Sequence, residues 1–367
     1  MDFTNLQSQY QLYKSQINEE IQKVLDSSSY IGGESIARLE RGLSEFCKAP
    51  YALACSSGTD AIILALLACG VGRDDEVITT PFTFIATAEA IAFLGAKPVF
   101  VDIFEDTYNL NYHLIEQSIT SKTKAILPVS LYGQVCDLKP INEIAKAYNL
   151  AVIEDGAQSF GGKYHGEYSC SLSKLATTSF FPSKPLGCYG DGGAVFTQDE
   201  ELALKVKSLL SHGQKKRYVH QYIGMNARMD SIQASILCVK LKYFKEEIAK
   251  RQEVAKYYDT HLRGVITPKI QEGNESVYAQ YSIRTAYRDE LSAYLKERGI
   301  PTAVHYPMPL HLQEAFSYLG YKQGDFPVSE KISKEILSLP MSAFITQEEQ
   351  KEVIANITAF LDSKPRL

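Results

Sequence analysis

Apolar positions recur at helical spacing over residues 10–26 and again over 34–47, so the chain is read to begin with two amphipathic helices. The run "TDAIILALLACGVG" is apolar on nearly every side and closes on glycine, which predicts a buried helix. Past it, short apolar runs alternate with helical stretches. The runs "EVITTP", "KPVFVD", "KAILPVSLYG", "LAVIEDG" and "ATTSFF" read as strands, with helices such as "ATAEAIAFLG" and "LKPINEIAKAYN" between them. Such alternation predicts an α/β fold with a mostly parallel sheet covered on both faces.

Near residue 195 the alternation stops. A long helical stretch follows at about 229–261, and after it strands such as "YAQYSIRT" mix with helices. The remainder therefore reads as a smaller C-terminal α+β domain. The boundary is placed near 245, within the long helix: residues 1–245 hold an N-terminal segment and the large domain, and residues 246–367 the small one. No internal repeat or low-complexity tract is found.

Composition narrows the partners. A chain of 367 residues, 45% of them hydrophobic, can bury one large and one small core. Its 38 basic and 43 acidic residues give a formal net charge of −5, which argues against nucleic acid as a bulk electrostatic partner. No basic start leads into an apolar run, and no apolar stretch reaches the roughly 18 residues of a membrane span, so a cytoplasmic chain with no membrane partner is expected. Seven cysteines are scattered, odd in number and never spaced as CxxC. Neither a disulfide framework nor a metal site is expected from them.

In open parallel sheets, ligands gather beyond the carboxyl ends of the strands. Three groups fall at such ends. In "ACSSGTDAIILAL", Ser56, Ser57, Gly58 and Thr59 precede an apolar helix, an arrangement that favours a phosphate; the plain alternative is an N-cap. In "AVIEDGAQS", a strand runs into Glu154 and Asp155, with Gln158 one turn on. A carboxylate there could hold a cationic ring nitrogen, or simply cap a helix. In "SFFPSKPLGCYGDGG", Lys184 is set among Phe180, Phe181, Pro182 and Pro185, an apolar surround that keeps an amine neutral. Gly187, Gly190, Gly192 and Gly193 are read as allowing close approach of a bulky ligand. Taken alone, Lys184 would pass for a surface lysine.

Together the three groups make the set that pyridoxal phosphate (PLP) requires: a cradle for the phosphate, an acid for the pyridine nitrogen and a lysine for the aldehyde. Phe84, in "TPFTFIATAEA", is placed to stack on the ring. A dinucleotide cofactor fits less well, because "GVGRDDE" lacks the third glycine and the preceding strand, and no GxxxxGK[ST] occurs.

These motifs, in the order "YIGG", "SSGTDA", "TPFTFIATAEA", "IEDGAQSFGG", "SFFPSKPLG-YGDGG", "GMNARMDSIQASIL" and "AVHYPMPLH", cover nearly the whole chain. The sequence resembles the DegT/DnrJ/EryC1/StrS family of PLP-dependent aminotransferases that act on nucleotide-linked keto sugars. The resemblance implies the fold-type-I architecture of aspartate aminotransferase and a homodimer with shared active sites. It implies Lys184 as the cofactor-bonding lysine, Asp155 as the pyridinium partner, and Gln158 near the ring hydroxyl. Ser179 and Thr59, with the adjacent amides of Ser57 and Gly58, would take the phosphate, and Asn226 would reach it from the neighbouring subunit. Gly156 stands where many relatives carry alanine.

Substrate contacts are implied for Tyr30, Arg228, Gln233, His305 and Tyr306, and for the basic loop "SHGQKKRYVHQY" through Lys215, Lys216 and Arg217, which otherwise reads as a solvated charge run. The implied reaction is a ping-pong transamination from glutamate to C3 of a 3-keto sugar. A dTDP-linked 3-keto-6-deoxyhexose is slightly favoured over a UDP-linked 2-acetamido-3-keto uronate, with a 4-keto sugar as a further alternative. Two other classes are weighed. A PLP-dependent sugar dehydratase would carry histidine at position 184, and a non-catalytic homologue would have lost the lysine or the acid.

Overall fold

Residues 1–364 are described by the computed structural model. Seven strands form the central sheet: Tyr51–Cys55 (β1), Glu76–Thr79 (β2), Lys97–Phe100 (β3), Thr123–Ile126 (β4), Ala151–Asp155 (β5), Leu175–Ser179 (β6) and Gly193–Thr197 (β7). Their spatial order is β1-β7-β6-β5-β4-β2-β3. All neighbours run parallel except around β7, which is antiparallel to both β1 and β6.

The register explains where chemistry can occur. Gly193, at the start of β7, faces Cys55 at the end of β1 and Ser179 at the end of β6. One strand over, Asp155 at the end of β5 pairs with Thr177 of β6. Four chain segments thus leave the sheet at one edge, side by side.

Every apolar run read as a strand contains one. The run "KAILPVSLYG" yields only β4, because Pro128 has no N–H for the ladder and a short 3-10 turn follows at Leu131–Gly133. The pattern does not single out β1 and β7. Both are short, and β7 emerges directly from a glycine-rich bend. The helices are Leu6–Ser27 (α1), Glu34–Cys47 (α2), Gly58–Ala68 (α3), Ala86–Phe93 (α4), Leu138–Ala147 (α5), Glu200–Leu209 (α6), Ser231–His261 (α7), Arg288–Glu297 (α8), Pro327–Glu335 (α9) and Gln347–Asp362 (α10). α3 is buried along almost its whole length, in keeping with its unbroken apolar run. Among the described residues, no helix is long and apolar enough to cross a membrane.

The 31 residues of α7 serve two cores. Its first half places Ala234, Leu237, Cys238, Phe244 and Ile248 against β1, β6 and β7. Its second half places Val254, Ala255 and Tyr258, and the residue capping its end places Leu262, among α8, α10 and a two-stranded antiparallel sheet, Tyr281–Arg284 (β8) with Ile336–Leu339 (β9). The change of core falls between Ile248 and Val254, mid-helix. α1 lies along α7, and the residues before it are tied to the second core by a Met341 N–H donating to the Phe3 carbonyl at 3.2 Å.

Candidate active site

At the start of α3, Ser57 is the N-cap, its Oγ accepting from the Asp60 amide at 3.0 Å. Such a cap stabilises a helix by about 1 kcal/mol. The cap reading and the anion-site reading are compatible. The amides of Gly58 and Thr59, first in the helix, have no carbonyl within it to bond and carry the positive end of its dipole outward. A side chain at position 58 would put its Cβ 2.6 Å from Ser179 Cβ, and one at 193 would meet the Ser57 carbonyl oxygen at 2.3 Å. Glycines therefore let β1, β6 and β7 converge until Thr59 and Ser179 share one concave face.

Asp155 is 4% exposed. Its amide donates to the Pro128 carbonyl at 2.9 Å, and its carbonyl accepts from the Ser130 amide at 3.0 Å, which fixes the backbone. The carboxylate accepts from Thr87 Oγ1 at 2.8 Å and from the Ala157 amide at 3.1 Å. Burial pushes its pKa above the usual carboxylate range, opposed by these two hydrogen bonds and by the charge on Lys184. Glu154, its neighbour, points to the opposite face as strand alternation requires. There it accepts from Ser130 Oγ at 2.9 Å, Ser169 Oγ at 2.7 Å and the Cys170 amide at 2.8 Å. Of the two acids, only Asp155 faces the open side.

Lys184 sits in a tight bend closed by its own amide on the Phe181 carbonyl and by the Cys188 amide on the Phe180 carbonyl, both at 2.8 Å. Burial lowers the pKa of the amine, and the charge of Asp155 opposes that shift. The bend departs from the sequence reading in two respects. Phe180 is wholly buried in the core, whereas Phe181 faces the cavity and is half exposed. Gly187 and Gly193 do not make room for a ligand. A Cβ at 187 would lie 2.5 Å from the Pro182 carbonyl oxygen, so that glycine lets the bend fold back on itself.

These elements enclose a cavity of about 600 Å³ lined by Ser57, Gly58, Thr59, Phe84, Asp155, Gln158, Ser179 and Lys184, with Val304, His305, Tyr306 and Gln280 forming the opposite wall. Gln158 joins the two walls: its Oε1 accepts from the Tyr132 amide at 2.8 Å, and its Nε2 donates to Tyr306 OH at 3.1 Å. His305 contacts Ser338 Oγ through Nδ1 at 2.9 Å, and the Tyr132 hydroxyl donates to its carbonyl. Burial, assisted by the charge on Lys184, lowers the His305 pKa to about 4, so the ring is neutral at neutral pH. Phe84 is 55% exposed, with its ring 6.2 Å from that of Tyr306.

Within one chain, the remaining candidates lie outside this cavity. Tyr30 is exposed, and its carbonyl accepts from the Ser231 amide at 2.9 Å. Lys215, Lys216 and Arg217 occupy an exposed hairpin, and Asn226 is also exposed. Arg228 reaches Ser211 Oγ at 3.4 Å, while its buried Nε has no hydrogen-bond partner among the described residues. Gln233 is spent on the chain itself, with its Oε1 accepting from the Tyr189 amide at 2.9 Å and its Nε2 donating to the Tyr189 carbonyl at 3.3 Å. Several cavity residues escape the sequence reading, Thr87 and Gln280 among them. Thr87 lies one turn past Thr83 in a stretch noted only for Phe84. Gln280 lies in a stretch read only as a strand, and its buried Oε1 has no partner among the described residues.

A lysine of lowered pKa and a buried acid, beside a helix N-terminus at the carboxyl edge of a parallel sheet, define a fold-type-I enzyme of the aminotransferase kind. A sequence profile of the DegT/DnrJ/EryC1/StrS aminotransferase family matches residues 11–358, and the chain belongs to that family. It is 49% identical, over 98% of this chain and 99% of the relative, to a UDP-2-acetamido-2-deoxy-3-oxo-D-glucuronate aminotransferase of Pseudomonas aeruginosa. It is 39% identical, over 98% and 99%, to a dTDP-3-amino-3,6-dideoxy-alpha-D-galactopyranose transaminase of Aneurinibacillus thermoaerophilus. Among solved structures it superimposes with a TM-score of 0.88 on NtdA of Bacillus subtilis with bound cofactor PMP, at 32% identity over 95% of this chain and 82% of that one.

Proposed function

We propose that the chain is a PLP-dependent aminotransferase that moves an amino group from glutamate to C3 of a nucleotide-linked 3-keto sugar, the sugar being a UDP-linked 2-acetamido-3-keto uronate. The observation that carries the reaction class is the presence of Lys184, Asp155 and the α3 N-terminus in one cavity. The residues suit the cofactor. The Gly58 and Thr59 amides, with the hydroxyls of Thr59 and Ser179, form a cradle for its phosphate. Asp155, buried and facing the cavity, is a carboxylate that a protonated pyridine nitrogen would pair with, and such a cation would oppose the upward shift that burial causes.

When bound, the cofactor supplies an electron sink for the carbon that carries the amine. The protein's own part is placement and proton transfer. Asp155 would hold the ring nitrogen and Phe84 would cover the ring face, while Gln158 fixes Tyr306 across the cavity. Lys184 Nζ, which burial makes easier to deprotonate, would take the proton from the carbon bearing the donor's amine and return one on the other side of the transfer. Neutral His305 adds no charge to the wall that receives the sugar.

The uronate reading is supported by the relative at 49% identity, and Arg228, half-buried with its Nε unpartnered among the described residues, is the cation we assign to the sugar carboxylate. It departs from the slight preference for a dTDP sugar that the motifs alone suggest. Turnover is to be compared on UDP- and dTDP-linked 3-keto and 4-keto sugars with glutamate, products being read by mass. The UDP-linked 3-keto uronate is expected to give the highest kcat/KM, and Arg228→Ala to lower it roughly 10- to 100-fold for the uronate while changing a 6-deoxy sugar far less. A higher kcat/KM on the dTDP-linked 3-keto-6-deoxyhexose would return the assignment to that alternative.

A homodimer is part of the same proposal. Tyr30, Asn226 and the 214–220 hairpin lie off the cavity in segments that carry exposed apolar side chains: Ile31 at 53%, Ile223 at 93% and Tyr218 at 77%. That disposition suits residues that complete a second subunit's site. Mixing an Asn226→Ala chain with a Lys184→Ala chain, each weak alone, should restore about a quarter of wild-type sites after subunit exchange, since each mixed dimer holds one intact site. Heterodimers without recovered activity would remove Asn226 from the shared site.

A further inference from the structure

The buried face of α7 carries polar residues at seven-residue spacing, Gln233, Lys240 and Glu247, with Arg251 one turn further on. That period keeps all four on one stripe of the helix. The stripe is packed under α1 and against the bend that holds Lys184. Gln233 grips Tyr189 through its amide and carbonyl, as described above. Lys240 is 2% exposed; its ammonium donates to the Gly187 carbonyl and lies 5.1 Å from the centre of the Tyr189 ring. Glu247 accepts from Gln9 Nε2 of α1 at 2.8 Å. Arg251 Nη1 donates at 3.1 Å to the carbonyl of Tyr278, two residues before the cavity residue Gln280.

We propose that Lys240 is a positioning residue for the reaction: by anchoring the Gly187 carbonyl to α7, it holds the bend that sets the depth of the Lys184 nitrogen in the cavity. The crowding at Gly187 makes this leverage effective. The bend is folded so tightly there that a Cβ at 187 would overlap the carbonyl oxygens of Phe181 and Pro182, so a shift of the Gly187 backbone is felt by those residues and, through the Phe181 carbonyl, by the Lys184 amide bonded to it. A lysine is an expensive anchor. Burial lowers its pKa to about 8, the charge of Glu247 opposes the shift, and Arg251 adds to it. A leucine would fill the same space without that cost, but it could not hold a carbonyl.

The assignment of Lys184 as the reacting amine rests on the proposed function; the effect of Lys240 on the bend does not. Two measurements keep them apart. Hydrogen exchange in the full chain reads the bend directly, whatever the reaction, and steady-state kinetics read its consequence. Lys240→Met leaves Glu247 and Arg251 as a mutually neutral pair, and Lys240→Gln keeps an N–H donor. In Lys240→Met the amides of Lys184 and Cys188 should exchange about 10-fold faster while β5 and β6 keep their protection, the factor expected for loss of one charge-assisted hydrogen bond. kcat should fall by about the same 10-fold with KM for glutamate within about 2-fold, and Lys240→Gln should recover most of both effects. Unchanged exchange over 181–188 in Lys240→Met would overturn the proposal. So would a loss of protection spread evenly through α7 and β6, or a chain that folds with neither substitution, since Lys240 would then be a general structural ion.

Discussion

Lys184→Ala is expected to reduce transamination by about 10⁴-fold or more, because one amine both bonds the cofactor's aldehyde and carries the proton between donor carbon and cofactor. The fold should survive. The bend is held by its backbone hydrogen bonds, by Gln233 and by Lys240, none of which uses the Lys184 side chain. The check pairs turnover with visible absorbance: the substituted chain should retain its melting temperature and lose the band that a lysine-bound cofactor gives. Substantial turnover in Lys184→Ala would end the assignment of the catalytic amine.

Asp155→Asn should lower kcat by roughly 10²- to 10³-fold, the usual range for removing one preorganised electrostatic contact to a developing charge. It should also act on Lys184 in the cofactor-free protein. The Asp155 charge favours the ammonium form, so its removal lowers the Lys184 pKa further, adding to the shift that burial already causes. Titration of amine reactivity against pH in both proteins would read that difference. A Lys184 pKa that rises or stays fixed in Asp155→Asn would show that the two groups are not coupled across the cavity.

The site was legible where chemistry and backbone punctuation coincide. Ser57–Thr59 and Asp155 each follow an apolar strand, and Lys184 is bracketed by prolines and glycines, so position along the chain already implied position at the sheet edge. Gln280 and Thr87 were not legible for the opposite reason. A glutamine inside "YAQYSIRT" and a threonine inside "TPFTFIATAEA" have ordinary sequence neighbours, and their importance comes from what lies across the cavity. Gln233 is instructive in another way. The tract around it reads in sequence as a substrate contact, yet only coordinates reveal that this amide clasps Tyr189 instead of lining the cavity. The fold was easier to read. Continuous apolar runs located five of the seven strands, whereas β1 and β7, short and flanked by turn residues, carry too little pattern of their own.

A rod that is rooted in two cores leaves little freedom between them. Because α7 runs unbroken from one core into the other, a swing of the wall carrying Gln280, His305 and Tyr306 would have to bend a buried helix or tear side chains from one of its sockets. The gap between the walls is thus set when the chain folds, and ligands of any size meet a mouth of fixed width. Selectivity then falls to the exposed fringe of that mouth, which can change by substitution without disturbing the frame behind it.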